Sequence, residues 1–226
     1  YTLGNFYIGG ACSMASTLDD DLFEAAVAGN KFWVKNATYT LGETVAVAAA
    51  GGTQQPIVIE GYDVTRADRP TGSTRPLLAG GTNAITFTGA NWDLTYLQAT
   101  STNVNGLNFN GNNQKGIHVK SVNASTTANS NAIISSGLDS LFIAVEGISY
   151  RGDAFELASS GTIVGSYLHD SNRGLQITTT GAPVTLESNI IANNVANAIN
   201  VSGALGNRFT ARNNTLYGSV NTTGTG

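Results

Sequence analysis

Asn83-Ala84-Ile85, Asn105-Gly106-Leu107, Asn131-Ala132-Ile133, Asp153-Ala154-Phe155, Arg173-Gly174-Leu175 and Asn197-Ala198-Ile199 are six versions of one polar, small, apolar cassette. Their apolar members lie 22, 26, 22, 20 and 24 residues apart. A second apolar column, Leu97, Val122, Ile148, Leu168, Ile191 and Leu216, recurs at spacings of 25, 26, 20, 23 and 25. Two columns drifting together at about two dozen residues signal a solenoid. The repeat carries neither the recurring Gly-His and Trp-Asp marks of a propeller blade nor the leucine-rich consensus. Val, Ile, Phe, Thr and Asn in the strands, with Gly and Ser at the corners, predict an all-β parallel β-helix of about 8–9 coils.

Each cassette opens a strand that alternates. Ile85-Thr86-Phe87, Leu107-Asn108-Phe109, Phe155-Glu156-Leu157, Leu175-Gln176-Ile177 and Ile199-Asn200-Val201 each direct two apolar side chains inward and one polar residue outward. Ile133-Ile134-Ser135 breaks the rule: either Ile134 lies outside, or the register slips there. The column Asn83, Asn105, Asn131, Asp153, Arg173, Asn197 is a structural corner. Asn tolerates unusual backbone angles and hydrogen-bonds locally or up a stack.

The chain has 226 residues, 12% of them charged, and a net charge of -4. That balance argues against a nucleic-acid binder, which usually carries a basic face. The single cysteine, Cys12, excludes an intrachain disulfide framework and leaves a buried residue or a bond between chains. No apolar stretch reaches membrane-spanning length, so no membrane insertion is expected.

Three regions are expected: an arm and capping helix over 1–30, the β-helix over 31–218, and a tail over 219–226 that frays or links onward. Thr17 or Ser16 caps the helix, Leu18, Leu22, Ala25 and Ala26 line its buried face, and Gly29 stops it. Such a helix covers the open end of the solenoid. Trp33 is expected in the core of the first coil. Residues 63–76 have no apolar period and form a long loop. Its arginines Arg66, Arg69 and Arg75 serve either as salt-bridge partners within a lateral loop or as contacts to an anionic ligand or a neighbouring subunit.

With the helix, Phe32-Trp33-Val34-Lys35-Asn36-Ala37-Thr38-Tyr39-Thr40-Leu41 and Ile57-Val58-Ile59-Glu60-Gly61-Tyr62 form an opening typical of one group. The coil phrases Leu186-Glu187-Ser188-Asn189-Ile190-Ile191-Ala192-Asn193-Asn194 and Arg212-Asn213-Asn214-Thr215-Leu216 agree with it. Over essentially its whole length the chain resembles the pectate-lyase-like right-handed parallel β-helix family. That group includes β-helix domains of phage tail spikes and of virion or surface proteins. The resemblance implies a right-handed, single-stranded β-helix and does not fix the function, because members include lyases, hydrolases, epimerases, adhesins and structural proteins.

Lyase members hold calcium with clustered acids and use a basic residue to take a proton. Hydrolase members need two carboxyl groups a few ångströms apart. Here no two acids share an evident column. The best cluster is Asp153, His169, Asp170 and Arg173. In an enzyme, Arg173 or His169 would be the base, and Asp153 or Asp170 would stabilise charge or bind calcium. In the other reading Asp153 and Arg173 form a salt bridge that replaces one rung of the asparagine stack. Glu156 points outward from the same strand, as a ligand or interface candidate. His118, with Lys115 and Lys120, forms a second basic spot on a solvated face. Trp92, Tyr96, Tyr167 and Tyr217 are candidates to stack on sugar rings if exposed.

The favoured expectation is a non-enzymatic structural or adhesive protein of a virion or extracellular surface. It would assemble as a homo-oligomer or larger particle, bind polysaccharide and need no cofactor. The alternative is a lyase or hydrolase acting on an acidic polysaccharide, with calcium possible only for the lyase.

Overall fold

A strand that alternates and then meets a small residue at a corner must turn, and repetition of the unit stacks each turn on the last. The computed structural model describes residues 5–8, 17–18, 21–82, 85–102, 105–126, 130–179, 181–204 and 208–222. Three parallel sheets form a right-handed β-solenoid of about 8 turns. The first sheet runs in nine strands from Asn5–Ile8 to Phe209–Arg212, and the second in nine from Thr17–Leu18 to Thr215–Leu216. The third has eight, from Val45–Val47 to Val220–Thr222. The last strand carries the solenoid past the boundary expected at residue 218 and pairs with Asn197–Val201.

The cassette column holds its register. Ile85, Leu107, Ile133, Phe155, Leu175 and Ile199 are consecutive partners in the third sheet, all buried. Ile134 points outward and Ser135 inward between Phe109 and Leu157, so no slip occurs. Asn83 and Ala84 lie outside the described residues, as does Cys12.

The second apolar column needs correction. The inward partners in the second sheet run Leu78, Ala99, Ser121, Gly147, Leu168 and Ile191. Val122 and Ile148 face outward, and Leu97 is buried just before the strand Gln98–Ser101. Small residues were selected inside because the third-sheet backbone passes close by. A Cβ on Gly147 would lie 2.4 Å from the Ala154 carbonyl oxygen.

The corner between the first and second sheets is built from residues in the left-handed region. Tyr96, His118, Ala144, Gly165, Ser188 and Asn213 occupy it in successive coils, with φ between 52° and 58°. Most of these types pay for that conformation. The ladder still continues through them, as Tyr96 N–H donates to Ile117 O and Ala144 N–H to Val164 O.

Aromatic side chains form the spine of the core. Phe87 and Trp92 lie 5.0 Å apart between ring centroids, Phe109 and Phe142 5.1 Å, and Phe142 and Phe155 4.7 Å. Edge contacts of this kind add to the burial of large apolar surfaces. Trp92 is therefore core and offers no sugar platform. Trp33, expected inside, faces out beneath Lys31, because its neighbour Phe32 takes the inward position.

At the N-terminal end the helix is a single turn, Asp21–Glu24, and Thr17–Leu18 belong to the second sheet. Phe23 caps the spine, packing against Phe32 and Trp92 at 5.1 and 6.2 Å, with Ala26 buried beside it. Ala25, expected on the buried face, is exposed.

Candidate functional site

Asparagine at the corner before the third sheet links each coil to the next. Asn131 N–H donates to Asn105 Oδ1 at 2.8 Å, and Asp153 N–H donates to Asn131 Oδ1 at 2.7 Å. At the following rung the column becomes ionic. Arg173 Nε donates to Asp153 Oδ1 at 2.6 Å and Nη2 to Oδ2 at 3.1 Å, a bidentate pair. Asp153 is 1% exposed. Burial pushes its carboxyl above the ordinary value, against the pull of Arg173. Glu156 sits beside the pair on the outer side of its strand and accepts from Asn131 Nδ2 at 2.6 Å. Burial, then the Asp153 charge, pushes it up, with Arg173, Thr178 and Asn131 opposing. Both Asp153 oxygens are engaged and shielded from solvent, so this corner has the geometry of a structural rung.

His169 and Asp170 take another course. They end the second-sheet strand Tyr167–His169 on the outer face. His169 Nδ1 lies 2.7 Å from Asp170 Oδ2, and Nε2 lies 3.3 Å from Glu146 Oε1. Lys120 Nζ donates to the same Glu146 oxygen at 2.7 Å. Burial raises the Glu146 carboxyl, but Lys120 and His169 outweigh it and hold the group below its ordinary value. Among the described residues no hydrogen bond or ion pair joins this chain to Asp153 and Arg173, so the four-residue cluster divides in two.

The outer face of the second sheet is ordered by its ladder. Lys120, Glu146, Tyr167 and Ile190 are successive partners, as are Val122, Ile148, His169 and Ala192. The Tyr167 and His169 rings stack at 3.7 Å. Beside them Tyr167, Ile190, Ala192, Asn193 and Tyr217 line an open cleft of about 350 Å³. Tyr167 is 39% exposed and Tyr217 64%. Glu146, Ile190 and Asn193 were not anticipated. Anchoring the second column on Leu168 and Ile191 as inward residues would have aligned Glu146 with Tyr167 and exposed the face.

The loop of residues 63–76 is organised by Asp68 rather than by its arginines. The Asp68 carboxylate accepts from the backbone N–H groups of Asp63, Val64 and Thr65. Arg69 and Arg75 make no ion pair among the described residues. Arg66 is exposed. Lys115 pairs with Asp93 on the first sheet, while His118 turns the corner, stacked on Tyr96 at 5.0 Å.

Among the described residues, no three His, Cys, Asp or Glu side chains are placed to hold a metal. Among the same residues, no helix is long and apolar enough to cross a membrane. Comparison with protein-family models, with curated proteins and with solved structures yielded no match to this chain.

Proposed function

We propose that the protein is a non-catalytic β-helix of the pectate-lyase-like kind, displayed on a virion or extracellular surface, that binds polysaccharide on the outer face of its second sheet. The observation that carries this reading is the pair of exposed tyrosines, Tyr167 and Tyr217, flanking the cleft floored by Ile190 and Ala192. Tyrosine offers an apolar ring face to a sugar and a hydroxyl to its polar edge. Concave sites of this kind, with few polar groups among apolar ones, suit small ligands. The burial of Asp153 behind Arg173 removes the acid that an enzyme would most readily have used.

Assembly into a homo-oligomer belongs to the same reading. A polysaccharide lyase or glycoside hydrolase is the second reading, favoured by one feature: His169 lies between two carboxylates at the edge of the cleft.

The test is an oligosaccharide panel read by calorimetry, with product analysis on the same mixtures. Binding that falls at least tenfold in Tyr217→Ala, with no new reducing or unsaturated ends, is expected. Release of such ends that His169→Ala abolishes would establish the enzyme instead. Binding unchanged in both Tyr217→Ala and Tyr167→Ala would remove the cleft from the argument.

A further inference from the structure

On the same face, three rungs before Tyr167, lies a group of cations that make no ion pair among the described residues. The loop of residues 63–76 returns to the solenoid at Arg75 and Pro76. Gln98, which opens the second-sheet strand Gln98–Ser101, donates its N–H to Pro76 O at 2.8 Å and its Nε2 to Arg75 O at 3.1 Å. The junction is tight, since a Cβ on Gly61 would lie 2.1 Å from Tyr96 O and 2.8 Å from the Pro76 ring. Arg75 is half-buried, and Nε donates to Pro70 O within its own loop at 3.5 Å. No carboxylate lies within ion-pair distance of Arg75 or Arg69 among the described residues.

His118 faces the same junction, held at a left-handed corner with its ring stacked on Tyr96 at an interplanar angle of 13°. Burial, then the charges of Arg75 and Arg69, pushes the His118 imidazole below its ordinary value. Burial likewise lowers Arg75, with Glu146 and Tyr96 opposing. A desolvated cation beside a second cation is costly unless an anion joins it. Guanidinium groups match planar oxyanions with paired donors.

We propose that Arg75, Arg69 and His118, braced by Tyr96, form a subsite for one oxyanionic group, a carboxylate or a sulfate, carried by the bound polysaccharide. The identity of the carrier rests on the function proposed above; the anion site itself does not. The rung of Gln98 and that of Tyr167 are three strand spacings apart, roughly 14 Å, and the Lys120–Glu146 pair between them is charge-balanced. A short acidic oligosaccharide therefore spans from an anionic unit at Arg75 to a ring seated between Tyr167 and Tyr217.

The experiment follows the His118 and Tyr96 ring resonances by NMR. The protein is titrated with sodium sulfate against sodium chloride at equal ionic strength, then with a uronic-acid oligosaccharide and its neutral reduced counterpart. Sulfate should shift both rings and raise the His118 protonation midpoint; chloride should not. The acidic oligosaccharide should bind at least tenfold more tightly than the neutral one. Arg75→Gln should remove that preference, Arg75→Lys should keep part of it, and Tyr217→Ala should weaken both sugars alike. Absence of a sulfate-specific shift at His118 overturns the anion site. Failure of every sugar to bind, with the sulfate shift intact, overturns the proposed function and leaves the anion site standing.

Discussion

Two of the places where acids lie beside bases have opposite fates. At the corner before the third sheet, Asp153 and Arg173 close on each other in a buried bidentate pair. On the outer face of the second sheet, Lys120, Glu146, His169 and Asp170 make a looser chain beside two exposed tyrosines. The chain separates the two places by only a few residues, from His169 to Arg173. What separates them physically is direction: the buried carboxylate of Asp153 closes on one partner, while the outward side chains of the second sheet share theirs along a ladder beside the cleft. Sequence proximity of catalytic residue types is thus a poor guide in a solenoid, where adjacent residues diverge and distant ones stack.

The largest expected effect lies at the corner. Asp153→Ala should cost about 3 kcal/mol in urea unfolding, because it strands a partly buried guanidinium. The double variant Asp153→Asn with Arg173→Asn recreates the neutral amide rung and should return to within about 1 kcal/mol of the parent. Equal losses in the single and double variants would mean that the ionic rung itself carries stability. On the outer face, Tyr217→Ala should leave unfolding within about 0.5 kcal/mol of the parent, as expected for an exposed residue, while weakening sugar binding at least tenfold.

Acidity sharpens the comparison further. Asp93, Asp153 and Glu156 all have raised carboxyl values, first of all through burial. The folded state then binds protons before the unfolded chain does, so these groups add stability as pH falls from neutral towards the carboxylate range. Glu146, held low, acts in the opposite sense and loses its contribution below its ordinary value. The difference in urea midpoint between the parent and the Asn/Asn double variant should therefore grow as pH falls from neutral towards the carboxylate range, because His118, held low, opposes in both alike. A flat or shrinking difference would show that the corner acids are better solvated than their burial indicates. The smallest effect should come from Ala144→Gly at the left-handed corner, where relief of backbone strain adds about 0.5 kcal/mol, read as a small rise in the thermal midpoint.

The third sheet was legible because its inward positions are large and apolar in nearly every coil, from Ile85 to Ile199. The second sheet was not, because Ser121 and Gly147 stand inside where the backbone crowds, while Val122 and Ile148 stand outside. Choosing the larger apolar residue there shifts the register by one and reverses every side chain. The left-handed corner was hidden for a related reason. Tyr96, His118, Ala144 and Ser188 carry no turn signature, and the conformation is imposed by the ladder on either side of them. Asp153 and Arg173 could be placed one rung apart from spacing alone, and the structure puts them there.

By itself, then, the sequence determined the repeat, the parallel stacking, the third-sheet register and the adjacency of Asp153 and Arg173, because periodic burial of large side chains has one economical solution. Only the tertiary structure decided which tyrosines face water, that Glu146 reaches His169, and that Arg69 and Arg75 arrive beside His118. Those outcomes depend on where corners and lateral loops place side chains across several coils, and no local pattern encodes such distances.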